Sequence, residues 1–238
     1  METSRQKTAI IVPTYNEKEN IARLLSEIFI LVPDTSVFVV DDNSPDGTAA
    51  VVDDLLTKLP NLRLIKRQKK EGLGKAYLYA FDQILKNYDF ETIITMDADF
   101  SHRPAYLPKM IELRRDFDLV IGSRYVKGGR TIGWELWRKA LSYGGNLYCR
   151  LILRTPIHDN TSGFLAIKAT MLRQLDFSKL DLSGYAFTIG LKHLLLKAGA
   201  KFTELPIVFQ NRTGGESKIS NHIIREGLAS PWKMILKK

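Results

Sequence analysis

Within the first 125 residues, short apolar runs alternate with longer stretches of helical spacing. The runs are Thr8–Val12, Val37–Val40, Leu62–Lys66, Thr92–Met96 and Leu119–Ile121. A strand that buries one face alternates apolar and polar residues, whereas a strand covered on both faces is apolar at successive positions. Separated by helices of ten or more residues, such strands form βαβ units and a mainly parallel central sheet. The expected fold class is therefore α/β, with three layers and a Rossmann-like sheet. In sheets of this kind ligands bind beyond the carboxyl ends of the strands. That rule singles out Pro13-Thr-Tyr15, Asp41-Asp42, Asp97-Ala-Asp99 and Gly122-Ser-Arg124.

Local signals set the remaining elements. Asn16 is expected to cap the first helix with Glu19 as its capping-box partner, and Pro33-Asp34 to end it. Ser44-Pro-Asp-Gly47 reads as a turn opening a second helix to about Leu59, and Gly72-Leu-Gly74 opens a third through Leu85. Pro104 suits the first turn of a fourth. Further on, Leu136–Leu153 and Gly184–Ala198 have helical spacing, and Ser162–Ile167 and Phe202–Val208 read as strands. Pro206 suits an edge position in the latter. From Ser217 helical spacing returns, ending in a basic amphipathic tail, Trp232–Lys238. With no repeat or linker, residues 1–238 are expected to form one domain.

Composition excludes several classes. The chain has 238 residues, 45% hydrophobic and 26% charged, and no apolar run approaches the ~20 residues of a spanning helix. No signal-peptide core follows Met1, and the single cysteine, Cys149, fits a reducing compartment. The sequons at Asn160 and Asn211 are then chance matches. Lys and Arg number 35 against 26 Asp and Glu, a net charge of +9 that calls for an anionic partner. From Arg124 to Arg154 seven basic residues (Arg124, Lys127, Arg130, Arg138, Lys139, Arg150, Arg154) face one acid, Glu135, with Trp134 and Trp137 among them. Basic residues interleaved with tryptophan suit a membrane interface or a stacked anionic ligand, and equally a solvated basic face.

Among the chemical motifs, Asp97-Ala-Asp99 lies at a strand end, where two carboxylates can meet a hard divalent cation. Asp116-Phe-Asp118 precedes a strand, on the opposite edge, and reads as structural. Asp41-Asp42 can contact a nucleotide ribose or base, or close the following turn. Gly72-Leu-Gly-Lys75 lacks the Walker A spacing, with Lys69 where a glycine belongs and Ala76 where Ser or Thr belongs. Arg212-Thr-Gly-Gly-Glu-Ser-Lys218 is a basic glycine loop that can close over phosphates or remain an ordinary surface loop. The four histidines have no metal-ligand spacing, and no Ser-His-Asp order is persuasive.

Six strings occur in order: Val12-Pro-Thr-Tyr-Asn-Glu17, Val40-Asp-Asp-Asn-Ser-Pro-Asp-Gly-Thr48, Gly72-Leu-Gly-Lys-Ala-Tyr77, Met96-Asp-Ala-Asp-Phe-Ser-His102, Gly122-Ser-Arg-Tyr125 and Gly215-Glu-Ser-Lys218. Together they resemble the polyprenyl (dolichyl) phosphate β-D-mannosyltransferases of glycosyltransferase family 2. The resemblance spans residues 8 to 227 and implies a GT-A fold. It further implies inverting transfer of mannose from GDP-mannose to polyprenyl phosphate, with Mg²⁺ or Mn²⁺ as cofactor. On this basis residues 1–125 are the nucleotide-sugar half and residues 126–238 the acceptor half. By the same resemblance Pro13, Tyr15, Glu17, Val40 and Asp42 would hold the nucleoside, and Asp97, Ala98 and Asp99 the ribose–diphosphate region. Asp99 and Ser101 would meet the metal. Arg124, Arg212 and Lys218 would bind diphosphate or acceptor phosphate, and Arg138 and Ser142 the lipid phosphate. Asp99, Arg124 and Arg138 are thereby the expected catalytic residues.

A phosphate monoester is already anionic, so such a reaction needs positioning and charge neutralisation rather than a general base. The implied location is peripheral, on the cytosolic face of an anionic membrane. A membrane anchor subunit is compatible with it. The chain departs from the family pattern at Leu165, where Arg is usual, and at Thr188 and Gly190, where Gln and an acid are usual. Joint loss of Arg and acid would avoid an unpaired buried charge. Two other readings stay open: the same chemistry with UDP-glucose, and a catalytically inactive basic protein docked on membrane or nucleic acid. Acidic strand ends disfavour nucleic acid.

Overall fold

The computed structural model describes residues 7–181, 184–210 and 221–236. The first half alternates β1 (Thr8–Thr14), α1 (Lys18–Leu31), β2 (Ser36–Asp41), α2 (Thr48–Leu56), β3 (Leu62–Lys66), α3 (Leu73–Asn87) and β4 (Thr92–Thr95). A 3-10 turn at Pro104–Tyr106, α4 (Leu107–Leu113) and β5 (Leu119–Ser123) follow. Then come β6 (Arg130–Ile132), α5 (Leu136–Leu153), β7 (Leu165–Lys168), α6 (Ala169–Arg173), α7 (Gly184–Lys197), β8 (Phe202–Pro206), β9 (Val208–Gln210) and α8 (Asn221–Leu236).

The large sheet runs β3-β2-β1-β4-β7-β5-β8. All its pairings are parallel except those of β7, which is antiparallel to β4 and β5. Alternate residues of each central strand feed two separate cores. Ala9, Ile11, Ile93, Leu119 and Ile121 pack with α3, α6 and α7. Ile10, Val12, Ile94 and Val120 pack with α1, α2 and α4 on the other face. This two-sided burial is why the runs are apolar at successive positions. At ~25 cal/mol per Å² of buried apolar area, these two cores supply the main drive to fold.

Three expectations are corrected. The strand expected over Phe202–Val208 breaks at Ile207 into β8 and β9, which belong to different sheets. α1 has no side-chain cap, and Asn16 sits at φ 60°, in the left-handed region that Asn tolerates. Its N-terminus is instead capped from the β2–α2 loop: Glu17 N–H donates to Thr48 Oγ1 (2.9 Å) and Lys18 N–H to Asp46 Oδ2 (3.0 Å). The strand expected from Ser162 begins only at Leu165, because the Ser162 hydroxyl folds back to donate to the Gly122 carbonyl (2.6 Å). β8 is an edge strand, as Pro206 requires.

α5 and α8 lie outside the two cores. They meet α7 through a small cluster of Cys149, Leu153 and Ile189, with Tyr148 and Met234 against it. Trp232 Nε1 donates to Tyr148 Oη (2.7 Å), which donates to the Leu228 carbonyl (2.8 Å). Both helices keep large apolar side chains in solvent, among them Leu136 (82% exposed), Leu151 (69%) and Leu236 (78%).

Candidate active site at the carboxyl edge of the sheet

Thr14 at the end of β1 lies opposite Asp41 at the end of β2, and this brings Pro13, Tyr15, Glu17 and Asp42 to one edge. The two adjacent acids have different work. Asp41 is buried and accepts from Thr14 Oγ1 (2.9 Å), Ser44 N–H (2.9 Å) and Ser44 Oγ (2.6 Å), closing the turn. Asp42 is ion-paired with Arg67 and accepts from Glu71 N–H (3.4 Å). Lys70 Nζ lies 3.8 Å from the Tyr15 ring centroid. Glu17 turns its carboxylate back to accept from Asn20 Nδ2 (3.0 Å). Val40 is fully buried in the core, so only its main chain can meet a ligand.

At the end of β4, Asp97 N–H donates to His102 Nδ1 (2.9 Å), which fixes that imidazole with its proton on Nε2. The His102 ring stacks on Phe164, with 4.9 Å between centroids and 14° between planes. Asp99 Oδ1 accepts from Ser101 N–H (3.0 Å) across Phe100, which is forced to φ 61°. Positive φ at a bulky residue is costly, and such strain collects at functional turns. Ala98 packs in the core, Asp99 is 6% exposed, and Asp97 keeps about a third of its side chain in solvent. The buried Ser101 hydroxyl has no partner among the described residues. Two carboxylates and an unspent hydroxyl fit Mg²⁺ or Mn²⁺, which take one or two carboxylates and fill their other positions with phosphate and water. No cluster of three acidic, His or Cys ligands occurs among the described residues. Beneath them, burial and the charges of Asp97 and Asp99 push the Tyr77 phenol well up, so it stays neutral.

The basic side is built on β5 and α5. Arg124 meets Asp159 twice, Nε to Oδ2 at 2.7 Å and Nη2 to Oδ1 at 2.6 Å, and Nη2 also donates to Thr161 Oγ1 (2.7 Å). Its guanidinium lies 5.2–5.5 Å from the rings of Tyr125, Trp134 and Phe209. Burial raises the Asp159 carboxyl, but the charge and hydrogen bonds of Arg124 outweigh it and hold it below the usual carboxylate range. Arg138 lies 4.3 Å over the Trp134 ring, so one indole sits against two guanidiniums. One turn further along α5, Ser142 Oγ accepts from Tyr125 Oη (2.7 Å), and Asn146 joins the Ser142 carbonyl to Thr161. Arg124, Arg138 and Ser142 thus belong to one connected cluster. Gly129 makes its turn possible, since a Cβ there would stand 2.6 Å from the Ser123 carbonyl oxygen.

Arg212 and Lys218 lie outside the described residues. Arg67, Asp159 and Lys192 are contacts that inspection of motifs does not single out. His102 closes the string begun at Met96. Lys192 leaves a trace as a single lysine in the apolar run Ile189-Gly-Leu-Lys-His-Leu-Leu-Leu. Asp159 leaves none, because its partner is 35 residues away. Two of the three departures from the family pattern, at Leu165 and Gly190, fall in apolar surroundings. Leu165 is buried among Phe187 and Leu191, and a Cβ at Gly190 would stand 3.0 Å from Leu180 Cδ2 and 3.1 Å from Met234 Cε. Asn160 is buried, with its amide on the Ile157 carbonyl (2.9 Å), which agrees with a chance sequon.

This geometry has counterparts in known proteins. The chain is 38% identical over 231 residues to an undecaprenyl-phosphate mannosyltransferase of Micrococcus luteus, covering 94% of this chain and 95% of that one. It is 40% identical over 225 residues to a polyprenol monophosphomannose synthase of Mycolicibacterium smegmatis, covering 94% and 84%. Among solved structures, a mannosyltransferase from Pyrobaculum calidifontis in complex with GDP-Man and Mn²⁺ superposes with a TM-score of 0.68 at 18% identity. That match covers 99% of this chain and 66% of the other. The fold is GT-A. With the glycosyl transferase family 2 model matching residues 9–176, over the acidic strand ends and into the arginine cluster, the chain belongs to that family.

Proposed function

We propose that this protein transfers mannose from GDP-mannose to a polyprenyl phosphate with inversion at the anomeric carbon. The observation that carries the reading is one sheet edge holding an acidic pocket, Asp97, Asp99 and Ser101, beside the arginine cluster of Arg124, Arg138 and Ser142. The named relatives, an undecaprenyl-phosphate mannosyltransferase and a polyprenol monophosphomannose synthase, support the sugar and the lipid phosphate acceptor.

Each group has a physical task. Asp42 and the β1 and β2 ends would receive the nucleoside. Asp99 and Ser101, with Asp97 beside them, would hold Mg²⁺ or Mn²⁺, which supplies positive charge against the departing diphosphate. Arg138 and Ser142 would grip the acceptor phosphate, as guanidinium and hydroxyl donors do for anionic oxygens. That phosphate is anionic at neutral pH, so its oxygen attacks without a base and the protein's work is alignment. Arg124 would face the phosphates with part of its charge already answered by Asp159. Arg212 and Lys218 would close over the same phosphates. Residues 1–125 would serve the donor and residues 126–238 the acceptor, within one domain.

A lipid acceptor requires a membrane. No helix among the described residues is long and apolar enough to cross one. The exposed apolar residues of α5 and α8, with the basic residues between them, suit peripheral docking on the cytosolic face. The test is transfer of radiolabelled mannose from GDP-mannose into organic-extractable lipid, with Mn²⁺ or EDTA and with UDP-glucose in parallel. Metal-dependent labelling from GDP-mannose is expected, and Asp99→Ala abolishes it. Labelling from UDP-glucose alone would move the donor, and none from either would sink the transferase reading.

A further inference from the structure

Behind Arg124 lies a buried group that the transfer mechanism does not use. Lys192, on α7, has no exposed surface, and its ammonium donates to the Ser162 carbonyl at 2.6 Å. That carbonyl belongs to the segment that also carries Asp159 and Thr161, the partners of Arg124. The charged and titratable groups around Lys192 come from four sides: Arg124 after β5, Cys149 on α5, Asp159 in the loop after it, and Glu204 on β8. Glu204 accepts from the backbone N–H of His158 (2.9 Å) and Asp159 (3.0 Å) and lies 2.8 Å from His158 Nδ1. Two carboxylates therefore face two cations in a volume closed to water.

We infer that Lys192 is a positioning residue: by sharing the charge of Asp159 it leaves the Arg124 guanidinium with more positive potential toward bound phosphates. If Lys192 is neutral, Asp159 is answered by Arg124 alone and the pair presents little net charge to an anion. If Lys192 is charged, it answers the second carboxylate, Glu204, and shares Asp159 with Arg124, so the potential at the site rises by the effect of one unit charge, weakly screened because the cluster is buried. The cluster is set at the point where it switches in the neutral range, since burial brings the ammonium down to about 7 against the opposing pull of Asp159. Anion affinity due to Lys192 is present below that pH and lost as pH rises through it. The effect concerns the phosphate that Arg124 faces. The inference rests on the proposed function only in taking that ligand to be a diphosphate or phosphate.

The experiment measures binding of magnesium pyrophosphate by calorimetry to wild type and Lys192→Met at pH 6 and pH 8.5. Comparing the two proteins at each pH cancels the ligand's own titration. The variant is expected to bind about tenfold more weakly at pH 6, the size of one charge acting at an effective dielectric constant near 20, and equally at pH 8.5. An equal ratio at both pH values would make Lys192 a structural cation only, and no difference at pH 6 would remove the role altogether. Should Lys192→Met not fold, ¹³C-lysine NMR on wild type decides. The lysine titrating near 7 stands apart from surface lysines at about 10.4, and by linkage pyrophosphate must raise its midpoint by about one pH unit. A midpoint that pyrophosphate leaves unmoved overturns the inference. Wild type that binds pyrophosphate yet fails to transfer mannose would sink the transferase reading and leave Lys192's role standing.

Discussion

Asp159 and Ser101 mark opposite conditions for a buried polar group. Asp159 is fully satisfied, and Asp159→Asn removes half of a bidentate buried pair, which costs about 3 kcal/mol in chemical denaturation. Because Arg124 holds the carboxyl below its ordinary range, the pair's contribution is present above the unfolded carboxylate's pKa of about 3.9 and fades as pH falls below it. The stability gap between wild type and Asp159→Asn should therefore shrink as pH falls from 5 into stronger acid. Ser101 has an idle hydroxyl, so Ser101→Ala should leave the melting temperature within about 2 °C while weakening Mn²⁺ binding. Equal loss of both would give Ser101 a structural role instead. Strand-end position was enough to find Asp97, Asp99 and Arg124 in the sequence. Arg67, Asp159 and Lys192 were hidden because their partners are distant in the chain and arrive only through sheet order and loop return.

At the scale of elements, the helix–strand alternation of the first half was legible to within about three residues, since two-sided burial writes itself into successive apolar positions. The α1 cap was not, because Thr48 and Asp46 satisfy its N–H groups across the β1–β2 edge and no local box is needed. The antiparallel insertion of β7 was equally hidden: its apolar run is the same in either direction. β7 and α7 carry the family departures, Leu165 on the first and Thr188 and Gly190 on the second. Leu180 belongs to the apolar cluster of Leu165 and is the atom a Cβ at position 190 would meet. Leu165→Arg by itself should cost about 3–5 kcal/mol, as an unpaired buried charge. Adding Gly190→Glu should recover part of that in a double-mutant cycle, and strictly additive costs would show the two positions are not partners. Cys149, 3% exposed where α5 meets α7, has its thiol pushed up by burial to about 11. It should ignore Ellman's reagent at pH 7.5 in the native protein and react fully once unfolded.

For the whole molecule, the asymmetry of the two halves matters most. The sheet's carboxyl edge carries the candidate site, and α5 runs from it to an apolar surface it shares with α8. Anionic vesicles should sediment the protein, with binding weakened by salt. Trp137→Glu with Leu151→Glu, both at exposed positions, should reduce vesicle binding about tenfold or more while leaving the melting temperature unchanged. Unchanged sedimentation would direct the search to another surface. The sequence alone determined the layer count, the strand direction in the first half, the acidic strand ends and the family, because those depend on periodicity and short contiguous strings. Tertiary structure decided which of two adjacent acids closes a turn, which carboxylate holds Arg124, and that a lysine in an apolar helix is buried behind it. Those outcomes depend on groups dozens of residues apart meeting in a space closed to water, where a charge must find its partner or not ionise.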